Sequence, residues 1–299
     1  ITALHSTLTA DLSNIDTNTV TAAFDGNGTF TGDIGNAVVT VGNGNTLQAT
    51  ALIVDGKTIT EADGTNATTT ITALHSTLTA DLSNIDTNSV TAAFGGNGTF
   101  TGDIGNAVVT VADGFSLTGA ANKLVAHTIN KSGTGDNNGA IVVTLNAAAD
   151  TAVNLTQLTG SAVITSITVA DSLTFTGTLH GTTATTIADG VNFNTTALKA
   201  TGKTISDGDD TGTVTLTALH SDLDADLSNI DANTVTAAFD GDGIFTGDIG
   251  NAVVTVGDDF SLTGAANKLV NHTINKSGTG ADNGAIVVTL NAAADTAVN

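Results

Sequence analysis

The property that most restricts how this chain can fold is that it repeats itself. Ile1-Thr-Ala-Leu-His5-Ser returns as Ile71-Thr-Ala-Leu-His75-Ser and again as Leu216-Thr-Ala-Leu-His220-Ser. Residues 71–154 align with 216–299 without a gap and differ at 13 of 84 positions. Three units follow: a short one over 1–70, a long one over 71–215 with an insertion at about 115–190, and a partial long one over 216–299. Gly56-Lys57-Thr58-Ile59 and Gly202-Lys203-Thr204-Ile205 mark where the short and long units rejoin. Near-identical units in series stack on one another to bury a shared core, so one continuous array is expected. Thr296–Asn299 repeats Thr151–Asn154, so both ends fall inside units and the expectation is a piece of a longer array.

The substitutions between copies say which face is inside. Thr77, Thr79, Gly95 and Asn97 become Asp222, Asp224, Asp240 and Asp242, whereas Leu78, Leu82, Ile85, Val90, Phe94, Phe100, Val108, Val109 and Val111 recur unchanged. Small polar positions drift while apolar ones hold, as expected of one solvated and one buried face. Thr99, which becomes Ile244, is the exception.

Local patterning favours strands. Ala107–Val111, Ala140–Leu145 and Val163–Val169 are short β-branched runs bounded by Gly, Asn and Asp. Turn dipeptides such as Asp25-Gly, Asn27-Gly, Asp113-Gly and Asp189-Gly recur along the chain. Glu61 is the only glutamate, so nearly all the acids are of the turn-forming kind. Inside the insertion, Val169-Ala-Asp171, Ile187-Ala-Asp189 and Ile205-Ser-Asp207 start a shorter period, with Leu173 and Val191, then Phe175 and Phe193, in matching slots. That series predicts an all-β solenoid, a parallel β-helix-like stack of about 15 coils of roughly 18–20 residues. The alternative is a string of small β-sandwich modules, which accounts for the long spacings but not for the short period. Leu219, Leu223, Leu227 and Ile230 fall at helical spacing, as do Leu4, Leu8, Leu12 and Ile15. The Thr, Asn and Asp between them favour strand.

Composition narrows the function classes. Twenty-nine acids against seven Lys and no Arg give a net charge of −22, unsuited to nucleic acid or to anionic membrane surfaces. No apolar run approaches the length of a membrane span. Without Cys there is no disulfide framework and no thiolate site. Hydrophobic residues reach 40%, too many for a disordered tract.

The Val111-Ala-Asp-Gly type of start, the Thr-Phe-Thr-Gly-Asp-Ile-Gly-Asn block at 29–36 and 99–106, the absent Cys and Arg, and the near-identical copies together resemble the β-strand-repeat regions of large bacterial extracellular proteins. That group includes giant adhesins, surface-layer proteins and filament subunits. The resemblance implies an extracellular or cell-surface structural segment that forms a fibre, surface layer or matrix element, with copies of itself or flanking repeats as partners. It equally implies the alternative of a calcium-stiffened spacer that holds a distal binding domain of an adhesin. The tandem Gly-Gly-x-Gly-x-Asp nonapeptide of secreted toxins is absent.

Candidate chemistry is confined to acids. Asp240, Asp242 and Asp248 lie within one short loop, and Asp207, Asp209 and Asp210 within another. Calcium takes six to eight hard oxygen ligands, which flexible Asp/Gly turns can offer, so these six are the candidate calcium ligands. Gly95 and Asn97 stand at the equivalents of Asp240 and Asp242, however, and solvated turns explain the loops as well. The six His fall largely at repeated positions: 5, 75 and 220 share one, 127 and 272 another. No catalytic arrangement or phosphate-binding loop emerges around them, and no enzyme is expected. Thr-x-Thr triplets, such as Thr99-Phe-Thr101 and Thr174-Phe-Thr176, do not recur at a constant spacing and are expected to be ordinary exposed strand residues.

Overall fold

The computed structural model describes residues 9–15, 20–62, 66–133, 139–208, 211–278 and 284–290. It is all-β, about 45% strand and 10% helix, with parallel sheets stacked as a β-solenoid of about 12 turns. The chain divides into two compact units, one of residues 1–143 with 157–164 and one of 144–156 with 165–299.

In the first unit each strand pairs in parallel with the strand after next. Val20–Phe24, Ala37–Val41, Ile59–Glu61 and Ile85–Asp86 form one sheet. Gly28–Thr29, Thr46–Thr50, Thr68–Thr72, Ser89–Phe94, Val108–Val111 and Ile129–Lys131 form a second. From Val20 to Phe94 the chain alternates between these two sheets, so each coil there contributes a strand to both and inward side chains meet their equivalents one coil away. Ala49, Ile71, Ala92, Val109 and Ile129 are successive partners across the second sheet, and none is more than 2% exposed. Ile71 lies between the small Ala49 and Ala92 along that row, which lets neighbouring coils interdigitate.

The second unit repeats this plan. Leu173–Thr174, Asn192–Thr196, Thr213–Thr217, Thr234–Phe239, Val253–Val256 and Ile274–Lys276 form its longest sheet, and Gly243–Phe245, Ser261–Ala265 and Ala285–Thr289 another. The row Thr195, Leu216, Ala237, Val254 faces inward. Thr195 is tolerated there because its hydroxyl donates to Phe175 O at 2.9 Å. Phe24, Phe30, Phe94, Phe100, Phe175, Phe193, Phe239 and Phe245 are all fully buried.

The Thr-Phe-Thr-Gly-Asp-Ile-Gly-Asn block now has a residue-by-residue explanation. Phe100 and Ile104 are buried in the core. Gly102 lies against the previous coil so tightly that a Cβ would sit 2.0 Å from Ala80 O. Asp103 Oδ1 accepts from Gly105 N at 2.9 Å, a local Asx turn. Gly32 and Gly247 meet Ala10 O and Ala225 O in the same way, so the block is the mould of one coil against the next.

The coils are not of constant length. Val169 pairs with Ile187, as the short period predicts, but Ile187 pairs with Asp207, and Ile205 with Thr185. Leu173 likewise meets Phe193, not Val191. Each slip is by two residues, which keeps the same side chains inward. One coil spans about 17 residues between Val20 and Ala37, another about 26 between Ile59 and Ile85. Longer coils explain about 12 turns where the short period predicts about 15.

Much of the variation sits at corners. Four single helical turns, α1 (Ala51–Val54), α2 (Ala121–Leu124), α3 (Ala197–Ala200) and α4 (Ala266–Leu269), recur about 70 residues apart. Their first and fourth residues are buried. Two residues beyond each turn the backbone is left-handed, with φ of 64°, 70°, 65° and 70° at Gly56, Ala126, Gly202 and Asn271. Glycine suits that conformation and alanine does not. Gly202→Ala is therefore expected to lower stability by about 1 kcal/mol and Ala126→Gly to raise it by up to about 1 kcal/mol, read from urea denaturation midpoints.

The Leu219–Ile230 segment is neither the helix nor the strand its spacing suggests. Leu219–Ser221 is a 3₁₀ turn, and only Ile230–Asp231 is strand. Leu219, Ala225, Leu227 and Ile230 point inward by turning the corner. Leu74–Ser76 does the same in the other copy, and Leu4 and Leu8 lie outside the described residues.

Candidate functional site

The acids singled out in the sequence are distributed along the stack, and each described one except Asp240 caps a backbone N–H. Asp242 Oδ1 accepts from Ser261 N at 2.7 Å, one coil away. Asn97 and Asn27, its equivalents, accept from Ser116 N and Thr46 N at the same 2.7 Å. An amide oxygen therefore does in two copies what the carboxylate does in the third, which is why this position drifts. Asp248 Oδ1 accepts from Gly250 N at 2.9 Å, within its own turn. Asp207 Oδ2 accepts from Asn233 N at 2.8 Å, as Glu61 Oε2 does from Asn88 N at 3.2 Å. Asp240 is exposed, with Oδ1 beside Gly257. Asp209 and Asp210 lie outside the described residues. Among the described residues, no group of three or more His, Asp or Glu is placed to hold a metal ion.

A second family of acids stacks coil on coil. Asp11 bridges to Asp33, Asp81 to Asp103, and Asp226 to Asp248. These bridges are backbone pairings, and the side chains turn to local donors. The side chain and then the backbone N–H of Ser13, Ser83 and Ser228 hold the carboxyls of Asp11, Asp81 and Asp226 below the usual range.

The basic residues serve the corners. Six residues after the start of each helical turn stand Lys57, His127, Lys203 and His272. Lys57 Nζ donates to Gly35 O and Lys203 Nζ to Gly181 O, both at 2.7 Å. His127 takes the same place; burial lowers its pKa, opposed by the Asp103 charge and a hydrogen bond to the Gly105 backbone. The spacing Ala-x₅-(Lys/His)-Thr was present in the sequence as the signal for this corner, including one copy inside the insertion.

The other recurrent histidines are packing residues. The His75 ring meets Phe94 edge-on at 6.2 Å, and its Nδ1 accepts from Gly95 N at 3.2 Å. His220 meets Phe239 at 6.3 Å in the same geometry. His180 Nδ1 lies 3.2 Å from Thr183 Oγ1, and His5 lies outside the described residues.

On the outer side of the sheets, threonines align into rows that the linear spacing hides. Thr46, Thr68 and Ser89 are successive partners, as are Thr70 and Thr91. Their hydroxyls are partly spent on neighbours, as with Thr213 Oγ1 to Asn192 Oδ1 at 3.0 Å.

Among the described residues, no helix is long and apolar enough to cross a membrane. Compared with known proteins, the chain matches no family model, no curated protein and no solved structure.

Proposed function

We propose that this chain is a structural, extracellular repeat segment that builds a fibre, surface layer or matrix element by stacking coils on copies of itself or on flanking repeats. One observation carries the reading. Parallel backbone pairing and an inward apolar row continue together from coil to coil, as along Ala49, Ile71, Ala92, Val109 and Ile129, all of them buried. A stack built this way offers each further coil of the same kind backbone pairing and apolar burial together. The near absence of large aromatic anchors other than buried Phe points the same way, to pairing through backbone and small apolar side chains. The acidic, cysteine-free surface supports an extracellular setting, where an array must stay soluble until it assembles.

The expected outcome is concentration-dependent assembly of the purified chain into ordered fibres or sheets, followed by light scattering and electron microscopy. A purified chain that stays monomeric at high concentration would sink the proposal.

A further inference from the structure

Among the described residues, Asp222 is the one acid that is both buried and incompletely partnered. It is 9% exposed, and its Oδ2 is buried without a hydrogen-bond partner. It follows the 3₁₀ turn Leu219–Ser221, and its backbone is fixed at both ends: Asp222 N donates to Leu219 O and Ala225 N to Asp222 O, both at 3.1 Å. Asp224 follows two residues on. The equivalent pair in the other copy is Thr77 and Thr79, two neutral hydroxyls on the same backbone.

A carboxyl oxygen held out of solvent with no donor is poorly stable as an anion. The charged groups around Asp222 offer little relief. His220 precedes the pair on the same turn, and its Nδ1 is itself buried without a partner. Asp240 and Asp242 on the following coil are further acids. Lys199 is the cation of α3, which packs against Leu219–Ser221, and its side chain extends from the last turn of that helix. A hydrated cation needs open space at the oxygens it binds, and Asp222 Oδ2 has none. A proton needs none.

We propose that the buried Asp222 carboxyl holds a proton in the folded corner, and that losing it to solvent loosens the 219–231 corner, a pH-sensitive element that the Thr77/Thr79 copy lacks. Burial first, and the hydrogen bond and charge of Asp224 second, push the Asp222 carboxyl above its ordinary range. The sign follows. Below the ordinary carboxyl range the acid is protonated folded or unfolded, and it has no effect. As pH rises through the ordinary range toward the raised value, the unfolded chain releases the proton while the folded one keeps it, so stability falls. The loss is complete above the raised value.

The test compares the full chain with Asp222→Asn, which mimics the protonated acid, and with Asp224→Asn, which removes the partner charge. Hydrogen exchange at the Ala225 and Thr246 amides, corrected for intrinsic rates, reports the corner directly. Those amides bond to Asp222 O and Leu223 O. Between pH 4 and pH 7 their protection in the parent chain should fall several-fold relative to Asp222→Asn. Asp224→Asn should show a shallower fall, and it decides the matter alone should Asp222→Asn fail to fold. Equal protection in parent and both variants at both pH values would overturn the proposal. So would recovery of the parent chain at pH 7 on adding calcium, without recovery of Asp222→Asn, since the pair would then be taking a cation.

Discussion

Gly102→Ala should destabilise the first unit by about 3 kcal/mol or more, an overpacking cost at the upper end of what one added methyl group causes. The reason is backbone, not side chain. The new Cβ would stand 2.0 Å from Ala80 O and under 3 Å from the Thr79 and Ala80 carbonyl carbons. No rotamer relieves that contact, so the coil must separate from its neighbour, with loss of the bond from Asp103 N to Ala80 O. Gly114→Ala is the contrasting variant, because its φ of +75° is unsuited to alanine but nothing lies within 4 Å, whereas Gly102 is crowded but not at positive φ. That variant should cost about 1 kcal/mol. Urea denaturation of both separates close approach from backbone strain, and equal costs would contradict the stacking geometry.

Phe94→Ala should cost about 3–5 kcal/mol, the range for emptying a large buried aromatic site. Phe94 is fully buried, pairs with Val111 of the next coil and supports the His75 ring. Phe115 is only half-buried, and Phe115→Ala should cost clearly less. In a stack, each coil leans only on its neighbours. The Phe94 cavity should therefore raise hydrogen exchange first at Ala112, whose amide bonds to Phe94 O, and at neighbouring coils before distant ones.

The fold was largely legible in the sequence, because a solenoid writes its core at repeated positions. Leu82, Val90, Phe94, Val109 and Val111 are held between copies, and all of them are buried. The coil length was less legible. A fixed period assumes that each turn uses the same number of residues, yet the corners absorb varying numbers of extra ones, and Ile205 meets Thr185 where the period places Ile187. The strand expected at Leu219–Ile230 failed for a related reason, as did the helix its spacing offered as the alternative. Corners bring every third or fourth residue inward without making a helix, since Leu219 and Ala225 reach the core from a 3₁₀ turn and a bend. The acids were the hardest to read. Asp242 and Asn97 look chemically different in the sequence, and only the shared 2.7 Å bond to the next coil shows that they do one job. Asp222, whose burial singles it out, had no motif to announce it beyond the change from Thr77.

The parallel pairing also decides how such a chain answers a pull. Its inter-strand hydrogen bonds lie along the stacking direction, so tension in that direction loads them one coil at a time. Adjacent strands are about 4.8 Å apart, whereas each residue released can extend by about 3.3–3.6 Å. A coil such as the one from Val20 to Ala37, about 17 residues long, therefore trades a few ångströms of thickness for roughly 60 Å of slack. The long coil from Ile59 to Ile85 holds still more. Each layer is a small reserve of thread that gives way singly, spares the layers behind it, and can wind back when the load is gone.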